Sequence, residues 1–388
     1  MQDGEDPYED SVKKRRYAPR PDRSAFPDES SRPSPRENLS SFRNGLFARH
    51  PSALKQGTSK VPSNNISGMK APAEMRNWAH YFDEVRDVKV GEDTFRCYIA
   101  GRREEAEEGE EEQTIIVFLH GCGHSALSWA LVASNLSSRC TVLAYDARGH
   151  GMSRSKNEIN LSAEQQAQDA VHVIEAFFKD KKLIPRIVLC GQSMGGAIAT
   201  RVVTSNALSN VVGLIVVDVV EGTALSALPY MRQWIRDRKK SFSSIEDAVQ
   251  YVVKAGHVRN YESATVSVPS QLSWSKEREK FVWRTPLHKS EEYWEGWFKG
   301  MSRLFLGASA AKLLILAAVD RLDRELTLAH MQGKFQNVLI TSSGHAVHED
   351  QPIETANAIE KFLERNLFVD GGDIPKAVMQ KIKASQLQ

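Results

Sequence analysis

Apolar residues in this chain collect in six short, unbroken runs, and the stretches between them carry a longer, helical period. The first run, TIIVFL at 114–119, is rich in β-branched residues and has no polar alternation. Such a run suits a strand covered on both faces, as in a parallel sheet. CTVLAY at 140–145, RIVLC at 186–190, GLIVV at 213–217, KLLILA at 312–317 and QNVLI at 336–340 repeat the signal. Helices are predicted over 162–178, 195–207 and 352–366. The first of these has Ser162 as N-cap, with Gln165 placed to complete a capping box. Strands alternating with helices predict a mostly parallel sheet with helices on both faces.

Upstream, 87–90 and 95–99 alternate around Gly91-Glu92-Asp93, a hairpin signature. Order is expected to begin near Trp78, Tyr81 and Phe82. The strand-helix rhythm breaks at about 221–306, a charged, Trp- and Tyr-rich stretch that reads as helical. This insertion falls between the strands at 213–217 and 312–317, where a lid would cover the carboxyl ends of the sheet.

Composition sharpens the boundaries. Residues 1–72 are rich in Ser, Pro, Arg and acidic residues and lack apolar periodicity. Such a segment buries too little to offset chain entropy, so it is expected to be a disordered tail. Residues 73–368 form the expected domain, and 369–388 a C-terminal tail. The glutamate-rich run at 104–112 reads as a self-repelling, solvated loop.

The formal net charge of +2 over 388 residues calls for neither nucleic acid nor an anionic membrane. No apolar stretch approaches the ~18 residues that span a bilayer, and no secretory h-region opens the chain. Cys97, Cys122, Cys140 and Cys190 have no framework spacing and read as reduced thiols. These signs predict a cytoplasmic or nuclear protein. The basic pairs Lys13-Lys14 and Arg15-Arg16 are a candidate nuclear-import signal or a solvated tail.

The chemistry centres on Ser193. Gly191-Gln192-Ser193-Met194-Gly195 matches G-x-S-x-G, directly after one strand run and before a helix of small residues. That setting predicts a sharp turn that lifts the serine above the sheet as a nucleophile. His120-Gly121-Cys122-Gly123-His124 follows the first core strand and is expected to form the oxyanion hole. The donors would be backbone N–H groups of Met194 and Cys122. His120 is expected to orient this loop, and Cys122 to be a small residue in a tight turn.

The base should come last in the chain, and Gly344-His345-Ala346-Val347-His348 follows the last strand. His345, next to a glycine at the strand end, is favoured over His348. For the acid, pattern alone leaves Asp218 and Asp320 open, since both follow strand ends. Order and motifs together predict an α/β-hydrolase fold with an inserted helical lid.

Taken together, these segments resemble the protein phosphatase methylesterase family. The resemblance rests on H-G-C-G-H-S-A-L-S-W from His120, D-A-R-G-H-G from Asp146 and G-Q-S-M-G-G-A-I-A from Gly191. It extends through V-D-V-V-E-G-T-A from Val217, Y-W-E-G-W-F from Tyr293, D-R-L-D from Asp320, M-Q-G-K-F-Q from Met331 and G-H-A-V-H-E-D from Gly344. It implies hydrolysis of the methyl ester on the C-terminal leucine of the type 2A serine/threonine phosphatase catalytic subunit. That subunit's C-terminal tail is the implied partner, and no metal or organic cofactor is implied. By the same resemblance the acid is Asp218, with Asp320 in reserve, and the base is His345.

The chain departs from the family at Cys122 and Gln192, where the family often has glycine and histidine; both positions contribute backbone. Two other readings remain: a hydrolase of small-molecule or lipid esters, and a non-catalytic phosphatase-binding regulator on the same fold. Trp234, Trp274, Trp283, Trp294 and Trp297 either dock a protein partner or pack the lid. The basic stretch from Arg232 to Lys240 either meets an acidic tail or is a solvated helix face.

Overall fold

The computed structural model describes residues 77–101, 114–179, 185–318 and 321–369. The expected tails and the glutamate-rich run lie outside them. Eleven strands occur among the described residues: β1 (Glu84–Val90), β2 (Asp93–Ala100), β3 (Thr114–Leu119), β4 (Thr141–Tyr145), β5 (Arg186–Gln192), β6 (Val211–Val217), β7 (Ser241–Phe242), β8 (Leu272–Ser275), β9 (Lys280–Trp283), β10 (Ala311–Leu316) and β11 (Gln336–Leu339). Eight of them form one sheet, in the order β1-β2-β4-β3-β5-β6-β10-β11. β1 and β2 pair antiparallel as a hairpin, with Val90 opposite Asp93, and β2 pairs antiparallel with β4. From β4 to β11 every pairing is parallel.

Helices α1 (Ala130–Leu136), α2 (Ala163–Phe178) and α3 (Met194–Ser205) cover the first half of the sheet. The insertion holds α4 (Glu221–Asp237), α5 (Ile245–Lys254), α6 (Tyr261–Ser270), α7 (Trp294–Phe298) and α8 (Met301–Gly307). After β10 come α9 (Arg324–Met331), α10 (Val347–Asp350) and α11 (Pro352–Arg365). The unbroken apolar runs are explained by burial on both faces. Val117 faces α2 and α3 with Leu143, Leu189 and Leu214, while Ile116 and Phe118 join α1 and α11 on the opposite face.

Two local expectations are corrected. Ser162 Oγ does accept the Gln165 N–H at 3.3 Å, but the Gln165 side chain turns to Asp169, 3.0 Å away. The Ser162 N–H donates instead to Asn160 Oδ1 at 3.3 Å. Asp169 is pinned by Arg148 and offers a buried, charged acceptor, which outcompetes the reciprocal half of the box. The insertion is not wholly helical: β7, β9 and β8 form a small antiparallel sheet over its own apolar cluster of Phe242, Val249 and Leu272.

The tryptophans divide. Trp294 and Trp297 are fully buried, and Trp297 Nε1 donates to Leu161 O at 2.6 Å, so they tie the insertion to the domain core. Trp274 is exposed. The basic stretch is mostly a solvated face: Arg232, Arg236, Lys239 and Lys240 are exposed, although Lys239 pairs with Asp247 at 2.8 Å and Arg232 with Glu291, while the half-buried Arg238 lies 4.4 Å from the Trp283 ring centroid. Burial lowers the Arg238 guanidinium to about 10.

Candidate active site

Sequence dictates the turn at Ser193 through its glycines. Ser193 takes φ 53°, ψ −119°, a left-handed conformation that a β-carbon resists by ~1–3 kcal/mol. The surrounding backbone must then approach closely. A Cβ at Gly191 would lie 2.2 Å from Gly195 O, and one at Gly195 would lie 2.2 Å from Leu119 O. The Ser193 N–H donates to Val217 O at 3.0 Å, fixing the turn to the end of β6. Met194 is the first residue of α3, so its N–H has no partner within the helix.

One residue after β6, Asp218 also takes a positive φ of 53°. Its N–H donates to Ile315 O at 2.8 Å, which holds the turn against β10. The carboxylate is buried and fully engaged. Oδ1 accepts from the Ala317 N–H at 2.9 Å, while Oδ2 accepts from Arg321 Nη1 at 2.5 Å and from His345 Nδ1 at 2.8 Å. Burial pushes this carboxyl upward, but the Arg321 charge, the His345 bond and the Ala317 N–H together hold it below the ordinary value.

His345 stands on the loop between β11 and α10. Asp350 shapes that loop, accepting the Gly344 and Arg259 N–H groups at 2.6 Å each. Gln192 Nε2 donates to His345 O at 3.1 Å, which joins the loop to the residue before Ser193. With Nδ1–H committed to Asp218, the lone pair of the neutral ring belongs to Nε2. Ser193, Asp218, Arg321 and His345 line one cavity of about 30 Å³, closed by Met231 and Phe298 from the insertion. That volume holds about one water. A larger depression of about 1090 Å³ beside β11 contains none of these groups.

The loop at 120–124, expected to form the oxyanion hole, is braced from behind by the D-A-R-G-H-G segment. His120 Nε2 accepts the Ala147 N–H at 2.9 Å, and His150 Nε2 accepts the Gly123 N–H at 2.9 Å. Asp146 Oδ1 accepts the Ala126 N–H at 2.8 Å and its Oδ2 the Met152 N–H at 2.7 Å. His120 is therefore a strut of the loop, and burial drives its pKa well below the ordinary value. The Gly123 amide is spent on His150 and the His124 amide on Gly121 O, 3.1 Å away. Burial raises the Cys122 thiol to about 12, so it carries no thiolate at neutral pH.

The structure thus brings Ser193, Asp218 and His345 to one cavity, with Met194 and Cys122 on the two flanking turns. His348 is completely buried, with its ring centroid 4.2 Å from that of Trp129, and does not line the cavity. Asp320 lies outside the described residues. Arg321, His150, Asp146 and Gln192 were not assigned from the sequence. Arg321 follows immediately on the competing aspartate, and the other three lie inside quoted motifs, so the signal was proximity rather than residue type.

Comparison with known proteins agrees with this fold. Residues 116–358 match the alpha/beta hydrolase family. Protein phosphatase methylesterase 1 of Homo sapiens is 41% identical, over 80% of this chain and 93% of that protein. The protein of the same name from Schizosaccharomyces pombe is 37% identical over 75% of this chain and 86% of its own length. Among solved structures, E-2-(acetamidomethylene)succinate hydrolase superposes with a TM-score of 0.58 at 18% identity, covering 72% of this chain and 99% of that one. This last likeness speaks to the fold alone. The chain belongs to the α/β-hydrolase family and, within it, to the protein phosphatase methylesterases.

Proposed function

We propose that this chain is a serine methylesterase acting on the C-terminal leucine methyl ester of the type 2A phosphatase catalytic subunit. The observation that carries the reading is the 2.8 Å bond from His345 Nδ1 to Asp218 Oδ2, beside a serine in a left-handed turn in the same cavity. Support for the substrate comes from relatives that are named protein phosphatase methylesterase 1.

His345 Nε2 takes the proton from Ser193 Oγ as that oxygen attacks the ester carbonyl carbon. The Met194 and Cys122 N–H groups hold the tetrahedral oxyanion, each worth roughly 2.7–4 kcal/mol to the transition state. The C–O bond to the methoxy group breaks, and the His345 proton passes to that oxygen to release methanol. Water then gives a proton to His345 and attacks the acyl-enzyme. Collapse returns the proton to Ser193 Oγ and frees the leucine carboxylic acid, which loses its proton to solvent as the carboxylate. Asp218 keeps Nδ1 protonated throughout and stabilises the imidazolium.

A cavity of about 30 Å³ cannot admit a leucyl ester, so Met231 and Phe298 must move aside when the tail enters. The reading carries with it a reducing compartment, the cytoplasm or nucleus, in keeping with four free cysteines. The test is methanol release from methylated catalytic subunit, comparing wild type with Ser193→Ala and Asp218→Asn. Wild-type release with both variants silent supports the reading. A Ser193→Ala variant that still releases methanol, or a wild type that turns over only free esters, overturns it.

A further inference from the structure

Three side chains that the proposed hydrolysis does not use meet beside the site. His124 closes the oxyanion loop, while His348 and Glu349 belong to α10, just past the loop that carries His345. One ligand atom from each lies within 4.8 Å of the other two. His348 and Glu349 are completely buried, and the His124 side chain is 23% exposed.

The polar atoms here are poorly satisfied for so enclosed a place. Among the described residues neither ring nitrogen of His348 has a hydrogen-bond partner, nor do His124 Nδ1 and Glu349 Oε1. The last two are 3.0 Å apart but out of line for a hydrogen bond. An unpaired buried polar group costs ~1–3 kcal/mol, so the two His348 nitrogens, beside a His124–Glu349 contact that makes no hydrogen bond, favour a ligand there. Meanwhile the other half of Glu349 is held firmly. Its Oε2 accepts from Ser267 Oγ at 2.5 Å and its carbonyl from Ser263 Oγ at 2.8 Å, both on α6. Those bonds leave Oε1 free to meet the imidazoles, the outer support that metal ligands usually have. Trp129 Nε1, nearby and also unpartnered, is a donor only and cannot ligate.

We propose that His124, His348 and Glu349 form a binding site for a divalent transition-metal ion of the Zn²⁺ type. Two imidazoles and one carboxylate are a donor set that Zn²⁺ accepts with a fourth position left to water. Ligand atoms at ~2.1 Å from an ion lie no more than ~4.2 Å apart, so the site must tighten slightly to bind. His124, at the partly exposed edge, is the side chain with room to move and the point of entry. The bound ion joins the oxyanion loop to α10 and, through Ser267 and Ser263, to the insertion. It sits outside the cavity that holds Ser193 and takes no part in the ester chemistry.

The test uses the full-length, tag-free protein, stripped with chelator and titrated with ZnCl₂ in a calorimeter, with MgCl₂ as control. One Zn²⁺ per chain is expected, with micromolar or tighter affinity, and no Mg²⁺ binding. The unfolding temperature should rise by roughly 5 °C at a hundredfold excess over Kd. Glu349→Gln, which keeps the Ser267 bond, and His124→Asn should each weaken Zn²⁺ binding at least tenfold. If Glu349→Gln does not fold, His124→Asn at its partly exposed position carries the test alone. Wild type that binds no Zn²⁺, or variants that bind it with wild-type affinity, overturn the proposal. Because the readouts are heat and unfolding temperature, this outcome is independent of whether the chain hydrolyses a methyl ester.

Discussion

His345 and His348 stand three residues apart, and each lies near a buried carboxylate, yet their surroundings are opposite. The Asp218–His345 pair is fully furnished: Arg321 balances the carboxylate, Ala317 binds its second oxygen, and His345 keeps its side chain 30% exposed toward the cavity. Among the described residues Glu349 has only the His124 imidazole beside it, 3.0 Å away, and no guanidinium like that of Arg321 at Asp218, while His348 is entirely buried with both nitrogens unpartnered. A histidine that shuttles protons needs one nitrogen anchored and one open, which is the first arrangement. A histidine with neither nitrogen engaged relays nothing along this chain, and its lone pair is available to an ion. The contrast lies in partners rather than in residue type.

The sharpest way to break the comparison is to remove each histidine in turn. His345→Ala and Ser193→Ala should each lower kcat by about 10⁶-fold, as removal of a group acting in a triad does elsewhere. His348→Phe, which keeps an aromatic ring against Trp129, should cost less than tenfold in kcat/KM with metal-free enzyme. Steady-state methanol release decides. A His348→Phe variant as dead as His345→Ala would erase the distinction between the two.

Asp218→Asn comes next. The amide would hold the wrong tautomer of His345, and a loss of about 10⁴-fold in kcat is expected. It also strands the buried Arg321, so unfolding in denaturant should show a loss of about 3–5 kcal/mol. Glu349→Gln has no buried cation of that kind to strand and should lower stability by much less.

These roles differ in how far the sequence announced them. The Ser193 turn was legible because the glycines it needs are fixed by backbone collisions, and such constraints write themselves as local motifs. The parallel strands were legible because burial on both faces leaves an unbroken apolar run. Arg321 was not, because its meaning depends on the end of β10 arriving beside the end of β6. The small sheet of the insertion was hidden for a related reason. β7 has two residues, and β8 and β9 have four each, so their pairing shows no period long enough to recognise. The link of His124 to Glu349 spans more than two hundred residues and left no local trace.

Acid sensitivity sharpens the comparison further. The folded Asp218 pKa lies below its ordinary value of 3.8, so the stabilisation it brings is complete above that value. It is lost as pH falls through the folded pKa. In Arg321→Met the burial that raises the carboxyl remains, while the largest lowering influence is gone. The folded pKa must then rise, and the acid limb of a stability-versus-pH curve should move to higher pH than in wild type. A curve that does not move would mean that Arg321 does not set the charge of Asp218.

The smallest effect concerns Gln192, whose Nε2 holds the carbonyl of His345 and whose Oε1 is buried with no partner among the described residues. A single neutral hydrogen bond of this kind is worth about 0.5–1.5 kcal/mol. Gln192→Ala removes it, but Asp350 still holds the same loop through the Gly344 and Arg259 amides. The loop should stay in place with slightly more freedom, and kcat should fall less than tenfold while KM is unchanged. Because Gln192 touches the base and not the His348 cluster, Zn²⁺ affinity should be the same as in wild type. A drop in Zn²⁺ binding on Gln192→Ala would show that the two histidines share one mechanical unit, and the separation drawn between them would have to be given up.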